Sequence, residues 1–144
     1  MKLKIKITQE ILEASKFCMN ETYSASVSRI GQNCAIGKAI YALFGDKSWV
    51  FNDKIAIFPN GFTFKPNFFY PKTDIVEGEH IDIKLSFDIT FFIEKFDKLS
   101  PKERVKIKPF EFEIDVPNEV VDLIGINQVY KVLSENTHTL EPVL

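Results

Sequence analysis

Residues 110–116 read Phe-Glu-Phe-Glu-Ile-Asp-Val, an alternation of apolar and acidic side chains that is typical of a β-strand with one buried face. Residues 2–7 read Lys-Leu-Lys-Ile-Lys-Ile and alternate in the same way, with lysine in place of the acids. Opposite charges on neighbouring strands are mildly favourable, whereas like charges are not. We therefore predict that these two strands lie side by side, with the lysines next to the acids.

The remaining chain predicts helices and short strands around this pair. Thr8 is typical of a residue that caps a helix, here over 9–20, and Asn33 precedes a second helix over 34–44. Lys38 is the only charged residue of this second helix, which is therefore predicted to be the buried, central helix of the fold. The same periodicities predict strands over 49–51, 55–58, 62–64 and 81–89, a capping box at 100–103, and helices over 89–99 and 119–135.

These elements predict the fold class α+β. With 144 residues the chain is long enough for one domain with its own core, which we place over 1–144 with a loose C-terminal tail from residue 137. A mainly antiparallel sheet of about five to six strands is expected to pack around the buried central helix. The expected core residues share an apolar side chain on the inward face of an element: Ile5, Ile7, Leu12, Ile36, Ile40, Leu43, Trp49, Ile57, Ile83, Leu85, Phe92, Ile93, Phe96, Phe112, Ile114, Val121 and Ile124.

Charge and hydropathy exclude several classes of function. The formal net charge is −2, and only two of the 18 basic residues are arginines, Arg29 and Arg104, so nucleic acid is not an expected partner. No apolar run is long enough to cross a membrane, and residues 1–7 lack the apolar core of a signal peptide. The expected location is therefore the cytoplasm.

Cysteine and histidine are too few for a metal centre. Cys18 and Cys34 are the only cysteines, and with His80 and His138 they do not have the spacing of a zinc site. In a lysine-rich cytoplasmic chain we expect both cysteines to be reduced and buried. The stretch 31–38, Gly-Gln-Asn-Cys-Ala-Ile-Gly-Lys, also departs from a phosphate-binding loop, because five residues separate the glycines and an alanine follows the lysine. No metal and no cofactor is predicted.

One combination of residues is compatible with catalysis. Cys34 lies at the predicted start of a buried helix, where the helix dipole activates a thiol, and His80 opens a later strand. This order is similar to that of papain-like cysteine hydrolases, with Asp82 or Asp88 to orient the imidazole. Those enzymes have a small polar residue and a glycine directly after the cysteine, whereas this chain has alanine and isoleucine. A packed, inert cysteine is the alternative interpretation.

Residues 58–70 concentrate aromatic side chains between prolines. A hairpin that folds over the sheet would bury these rings, whereas an exposed aromatic surface would dock a protein partner or stack on a planar ligand. Arg29, in a serine-rich loop, would add a guanidinium suited to an anionic ligand. The candidate binding residues are therefore Arg29, Phe62, Phe64, Phe68, Phe69 and Tyr70.

Three stretches together carry a resemblance: Asn-Cys-Ala-Ile-Gly-Lys-Ala-Ile at 33–40, Phe-Ile-Glu-Lys-Phe-Asp at 92–97, and Pro-Phe-Glu-Phe-Glu-Ile-Asp-Val-Pro at 109–117. Their order resembles a group of small, uncharacterised proteins from Bacteroidetes genomes, phages and mobile elements, over most of the chain. The resemblance supplies no catalytic residues. It implies a small accessory protein of a phage or mobile element.

These observations favour a non-catalytic binding protein. In the setting that the resemblance implies, such a protein inhibits a host defence factor or sequesters a small signalling molecule. Two alternatives stay open: a cysteine hydrolase that uses Cys34 and His80, and a structural or assembly subunit that forms a homo-oligomer through the aromatic segment. The expected partner is a protein or a small anionic, planar ligand.

Overall fold

The computed structural model describes residues 1–18, 32, 34–65, 75–124 and 138–140 of a mixed α/β molecule. The strands are β1 (Lys2–Ile7), β2 (Ser48–Val50), β3 (Lys54–Ile57), β4 (Thr63–Lys65), β5 (Ile75–Glu77), β6 (Ile81–Lys84), β7 (Phe110–Asp115) and β8 (His138–Leu140). The helices are α1 (Gln9–Ala14), α2 (Ala35–Phe44), α3 (Phe87–Asp97), α4 (Pro101–Arg104) and α5 (Asn118–Ile124), with a 3-10 turn at Gly45–Lys47.

The predicted pairing of the two alternating strands is confirmed. β1 and β7 are antiparallel neighbours, and each lysine of β1 lies opposite an acid of β7: Lys2 opposite Asp115, Lys4 opposite Glu113, and Lys6 opposite Glu111. The apolar residues of β1 between them, Leu3, Ile5 and Ile7, are fully buried. Charge matching on one face and burial on the other therefore select the same register.

The predicted single sheet of five to six strands is not found in the described residues, because the strands divide among smaller sheets. One sheet has the order β7-β1-β8, with β8 parallel to β1, a second has the antiparallel order β2-β3-β6, and β4 pairs with β5. The edge strands β6 and β7 contact each other but do not pair. Within the predicted loose tail from residue 137, residues 138–140 form β8 and pair with β1, whereas 137 and 141–144 lie outside the described residues.

Helix α2 is buried over most of its surface, as its composition predicts. Seven of its residues are buried, and it contacts α1, β1 and β2. It therefore packs against strands of two different sheets. Gly45 ends it with a φ of 75°, a left-handed conformation that glycine adopts without steric cost.

The predicted strand over 81–89 is wrong in its second half. β6 ends at Lys84, and Ser86 caps α3 by accepting a hydrogen bond from the Ile89 amide at 3.4 Å. The cap turns the chain into a helix two residues before the expected start, and the side chain of Phe87, which a strand over 81–89 would place on the same face as Ile83 and Leu85, is 80% exposed. The predicted capping box after α3 is confirmed, with Ser100 and Glu103 bonding reciprocally.

Most of the predicted core is buried. Among the predicted residues, Phe92 and Ile93 are only half-buried, although they pack against the core. The side chain of Ile124, and the part of the predicted helix over 119–135 that follows it, lie outside the described residues. The predicted helix over 9–20 is shorter in the structure, since α1 ends at Ala14 and a turn follows.

Candidate functional site

The predicted aromatic site is described only in part. Arg29, Phe68, Phe69 and Tyr70 lie outside the described residues, as does the side chain of Phe64, whose backbone belongs to β4. The remaining candidate, Phe62, is half-buried, and its ring packs against Trp49 with centroids 5.6 Å apart and against Phe58 at 5.0 Å. Phe58 is itself buried. These two rings of the segment 58–70 therefore belong to a small second core and not to an exposed surface.

The expectation that the cysteines are reduced is wrong. Cys18, which follows the turn after α1, forms a disulfide with Cys34, the residue that precedes α2. The two residues are 16 positions apart in the sequence, and no spacing rule for a single pair distinguishes a disulfide from two thiols at that distance. A sulfur in a disulfide is not a thiolate, so Cys34 is not a nucleophile in this structure.

His80 is exposed and already has partners for its ring nitrogens. Nδ1 lies 2.9 Å from the carbonyl oxygen of Gly78, and Nε2 lies 3.2 Å from a carboxylate oxygen of Asp82. The other oxygen of Asp82 accepts from Lys54 Nζ at 3.2 Å. The predicted orientation of His80 by Asp82 is thus present, but in an exposed ion-pair cluster whose described contacts do not include Cys34.

A concave surface lies between the start of α3 and β7, and we call it the α3–β7 groove. Its volume is about 480 Å³. The groove has an apolar floor and an acidic rim, and its lining residues are Ser86, Asp88, Ile89, Phe92, Ile107, Phe110, Glu111, Phe112 and Glu113. The rings of Phe92 and Phe110 meet in the floor with centroids 4.8 Å apart. The two walls of the groove are therefore held together by an aromatic contact.

Two phenylalanines of α3 lie in solvent and do not line this groove. The side chains of Phe87 and Phe91 are 80% and 59% exposed, and their rings stack on each other with centroids 6.4 Å apart. They are four residues apart on the helix, and Phe91 directly precedes Phe92 of the groove floor. We call Phe87 and Phe91 the exposed pair.

The sequence contains a pattern that predicts the exposed pair, but it conflicts with the strand predicted over 81–89. If Ser86 is read as a helix cap, Phe87 and Phe91 follow at a spacing of four and share one face of the helix. Ile89 and Phe96, which are buried, fall on the opposite face. The alternation of residues 81–87 favoured a longer strand, and so placed Phe87 inside.

The electrostatic character of the groove is acidic. Asp88, Glu111 and Glu113 are exposed on its rim, and its lining includes no lysine, arginine or histidine. On the β1 side, Lys6 and Lys4 lie opposite Glu111 and Glu113. The side of these two glutamates that faces α3 therefore has no matching basic residue in the lining.

In the described part of the chain, no three His, Cys, Asp or Glu side chains come together in a way that could hold a metal ion. None of the helices within the described ranges has the length and apolar character needed to cross a bilayer. Comparison of the chain with protein-family models, with curated proteins and with solved structures finds no match.

Proposed function

We propose that the protein is a non-catalytic binding protein whose contact surface is the exposed pair together with the α3–β7 groove. The observation that carries the proposal is that Phe87 and Phe91 stack on each other in solvent on α3, the helix that forms one wall of the groove. Transfer of a phenylalanine side chain from water into an apolar contact is worth about 1.5–3 kcal/mol. Aromatic side chains of this kind are the usual anchors of protein–protein interfaces.

A macromolecular partner fits this surface better than a small ligand does. Pockets for small molecules enclose most of the ligand surface, whereas the α3–β7 groove is an open depression and not an enclosed cavity. The small anionic or planar ligand that the sequence also suggested depends on Arg29, Phe68 and Tyr70, and it stays a prediction. The resemblance implies a small accessory protein of a phage or mobile element, and inhibition of a host defence factor by such a protein would require a protein-binding surface of this type.

The proposal is tested with a displayed library of short random peptides that is selected on the oxidised, full-length protein. Peptides that bind through the exposed pair should lose affinity by about tenfold or more with Phe87→Ser and with Phe91→Ser, since truncation of an anchor costs more than 1 kcal/mol. Phe17→Ser is the matched control, because Phe17 is a phenylalanine that is 73% exposed but belongs neither to α3 nor to the groove lining. Affinity should stay unchanged in this control.

Two outcomes would contradict the proposal. The first is that no peptide is enriched on the wild-type protein. The second is that the enriched peptides bind Phe87→Ser and Phe91→Ser as well as they bind the wild type. A structural or assembly role makes a different prediction: the wild-type protein would form a stable oligomer in analytical ultracentrifugation, and the Phe87→Ser variant would be a monomer.

The disulfide bears on where such a protein would act. Disulfides form and persist in oxidising compartments and are rare in the cytosol. The bond between Cys18 and Cys34 therefore favours an oxidising environment over the cytoplasm that the sequence suggested. Trapping of free thiols with an alkylating reagent at the moment of cell lysis would decide between the two: a protein from the cytoplasm would be alkylated at both cysteines.

A further inference from the structure

We propose that the occupant of the α3–β7 groove is an extended peptide segment, with lysine or arginine alternating with apolar residues, that pairs with the outer edge of β7 as an added strand. This inference rests on the proposed binding function and names the chemistry of the partner. Three observations carry it: the outer edge of β7, with which no strand of the described ranges pairs, the apolar floor beside that edge, and the acidic rim.

The hydrogen-bond pattern of the β1–β7 ladder indicates which backbone groups of β7 point to its outer edge. The Val116 amide donates to the Met1 carbonyl at 2.8 Å, and the Met1 ammonium donates to the Val116 carbonyl at 2.8 Å, so these two residues form a closely bonded pair. Such pairs recur at every second residue of an antiparallel ladder. The backbone N–H and C=O groups of Ile114, Phe112 and Phe110 therefore point towards β1. The backbone N–H and C=O groups of Glu111 and Glu113 consequently point away from β1.

No strand in the described part of the chain pairs with this outer edge. β6 approaches β7, but no residue of β6 lines the groove, whose β7 wall is Phe110–Glu113. Four residues of β7 span about 13 Å, which matches a short added strand. Unpaired edges of this kind recruit extended peptides through main-chain hydrogen bonds, and neighbouring pockets select the side chains.

The apolar floor and the acidic rim then determine the sequence of the added strand. Alternate side chains of an extended peptide would face the floor around Phe92 and Phe110, which selects apolar residues at every second position. The positions between them would lie beside Glu111 and Glu113, which selects basic residues. A second copy of β7 would instead place glutamates beside glutamates, so charge complementarity disfavours pairing between two copies through this edge.

The protein already contains one strand with the inferred pattern. β1 reads Lys-Leu-Lys-Ile-Lys-Ile, and it pairs with the same row of acids from the opposite side. A synthetic peptide of that sequence, blocked at both ends, is therefore the probe. The matched control peptide is Glu-Leu-Glu-Ile-Glu-Ile, which keeps the apolar residues and reverses every charge.

The experiment follows amide hydrogen exchange in the oxidised, full-length protein by NMR. The basic peptide should slow exchange at Glu111 and Glu113 by about tenfold or more at a saturating peptide concentration, because their amides gain partners. It should leave Phe112 and Ile114 unchanged, because their amides already bond to β1. The acidic peptide should have no effect, and added salt should weaken binding of the basic peptide.

Glu111→Pro removes the outward N–H group without removing a bond to β1, and it should abolish peptide binding. Glu111→Gln, which keeps the N–H group and removes the charge, should weaken binding only in part. If Glu111→Pro does not fold, a probe peptide with N-methyl groups on the amides that face β7 makes the same test on the wild type, and it should not bind.

Several results would overturn the inference. Equal effects of the basic and acidic peptides would show that charge does not select the partner. Slowed exchange at Phe112 and Ile114 instead of Glu111 and Glu113 would show that the peptide replaces β1. If library-selected peptides require Phe87 and Phe91 but do not protect Glu111, the proposed function stands and strand addition is wrong.

Discussion

At the scale of single residues, Arg104 has the densest set of polar contacts described in this chain. Its guanidinium is buried, and its Nη1 atom contacts the carbonyl oxygens of Ser15, Lys16 and Cys18 in the turn after α1. Its Nε atom donates to the carbonyl oxygen of Phe96 in α3 at 3.1 Å, and the guanidinium carbon lies 4.5 Å from the centroid of the Phe96 ring. Burial lowers the pKa of Arg104, an effect that Asp97 opposes. One side chain thus joins the end of α1 to α3 and α4.

We expect Arg104→Ala to lower the free energy of unfolding by about 2–3 kcal/mol, because several buried carbonyl oxygens lose their donor. Arg104→Lys should cost about 1–2 kcal/mol, since an ammonium group cannot reach both sets of carbonyl oxygens as the guanidinium fork does. Urea denaturation measures both values. Lys102→Ala, an exposed site on the same helix, is the control and should stay within about 0.5 kcal/mol of the wild type. Equal effects of Arg104→Ala and Lys102→Ala would contradict this role.

At the scale of elements, the pairing of β1 with β7 depends on charge as well as on burial. Three lysines of one strand lie opposite three acids of the other. Along each strand these charged residues alternate with the apolar residues that face the core. The second sheet has a pair of like charges at one position, where Lys84 of β6 lies directly opposite Lys54 of β3. Substitution of a lysine by glutamate is therefore expected to lower the free energy of unfolding in the β1–β7 ladder and to raise it at Lys84.

Lys4→Glu places a carboxylate opposite Glu113 and should lower the free energy of unfolding by about 0.5–1 kcal/mol. Adding Glu113→Lys should recover most of this loss, because the pair is then restored with the charges exchanged. Lys84→Glu is the matched control and should raise stability by a few tenths of a kcal/mol, since it removes a like-charge pair. Thermal denaturation at low and high salt measures all four proteins. A loss that persists in high salt would show that charge is not its cause.

At the scale of the whole molecule, the disulfide closes the stretch of chain between α1 and α2. It joins Cys18 to Cys34, and Arg104 binds the backbone at Cys18, so the cross-link and the buried guanidinium secure the same point of the chain. That point connects the β1–α1 unit to α2. The helix α2 in turn contacts strands of two sheets, so the position of this cross-link affects the core as a whole.

We expect reduction of the disulfide, or the double substitution Cys18→Ala and Cys34→Ala, to cost about 3 kcal/mol, the value for a closed loop of about 15 residues. Urea denaturation with and without a reductant measures the difference in the wild type. The double variant is the control and should not respond to the reductant. Alkylation of the native protein by iodoacetamide without a reductant would contradict the bond and would reopen the hydrolase alternative.

The exposed pair shows how far local patterns predict a site. Phe87 lies where two local patterns compete, since residues 81–87 alternate like a strand and Ser86 can cap a helix. In the structure the Ile89 amide donates a hydrogen bond to Ser86, and the chain is helical from Phe87 onwards. Phe87 is exposed next to Phe91 because both residues belong to this helix. The groove floor needs β7 to approach α3 from a distant part of the sequence. A periodicity contains no information about that approach.

The sequence by itself determined the partnership of β1 with β7, the burial of α2 and the capping box at Ser100, because each depends on side-chain alternation, charge or spacing within a short stretch. Only the tertiary structure decided the division into separate sheets, the bond between Cys18 and Cys34, and the contacts of Arg104. Those features join residues that are far apart in the sequence, and they depend on how whole elements pack. No local alternation or cap specifies such packing.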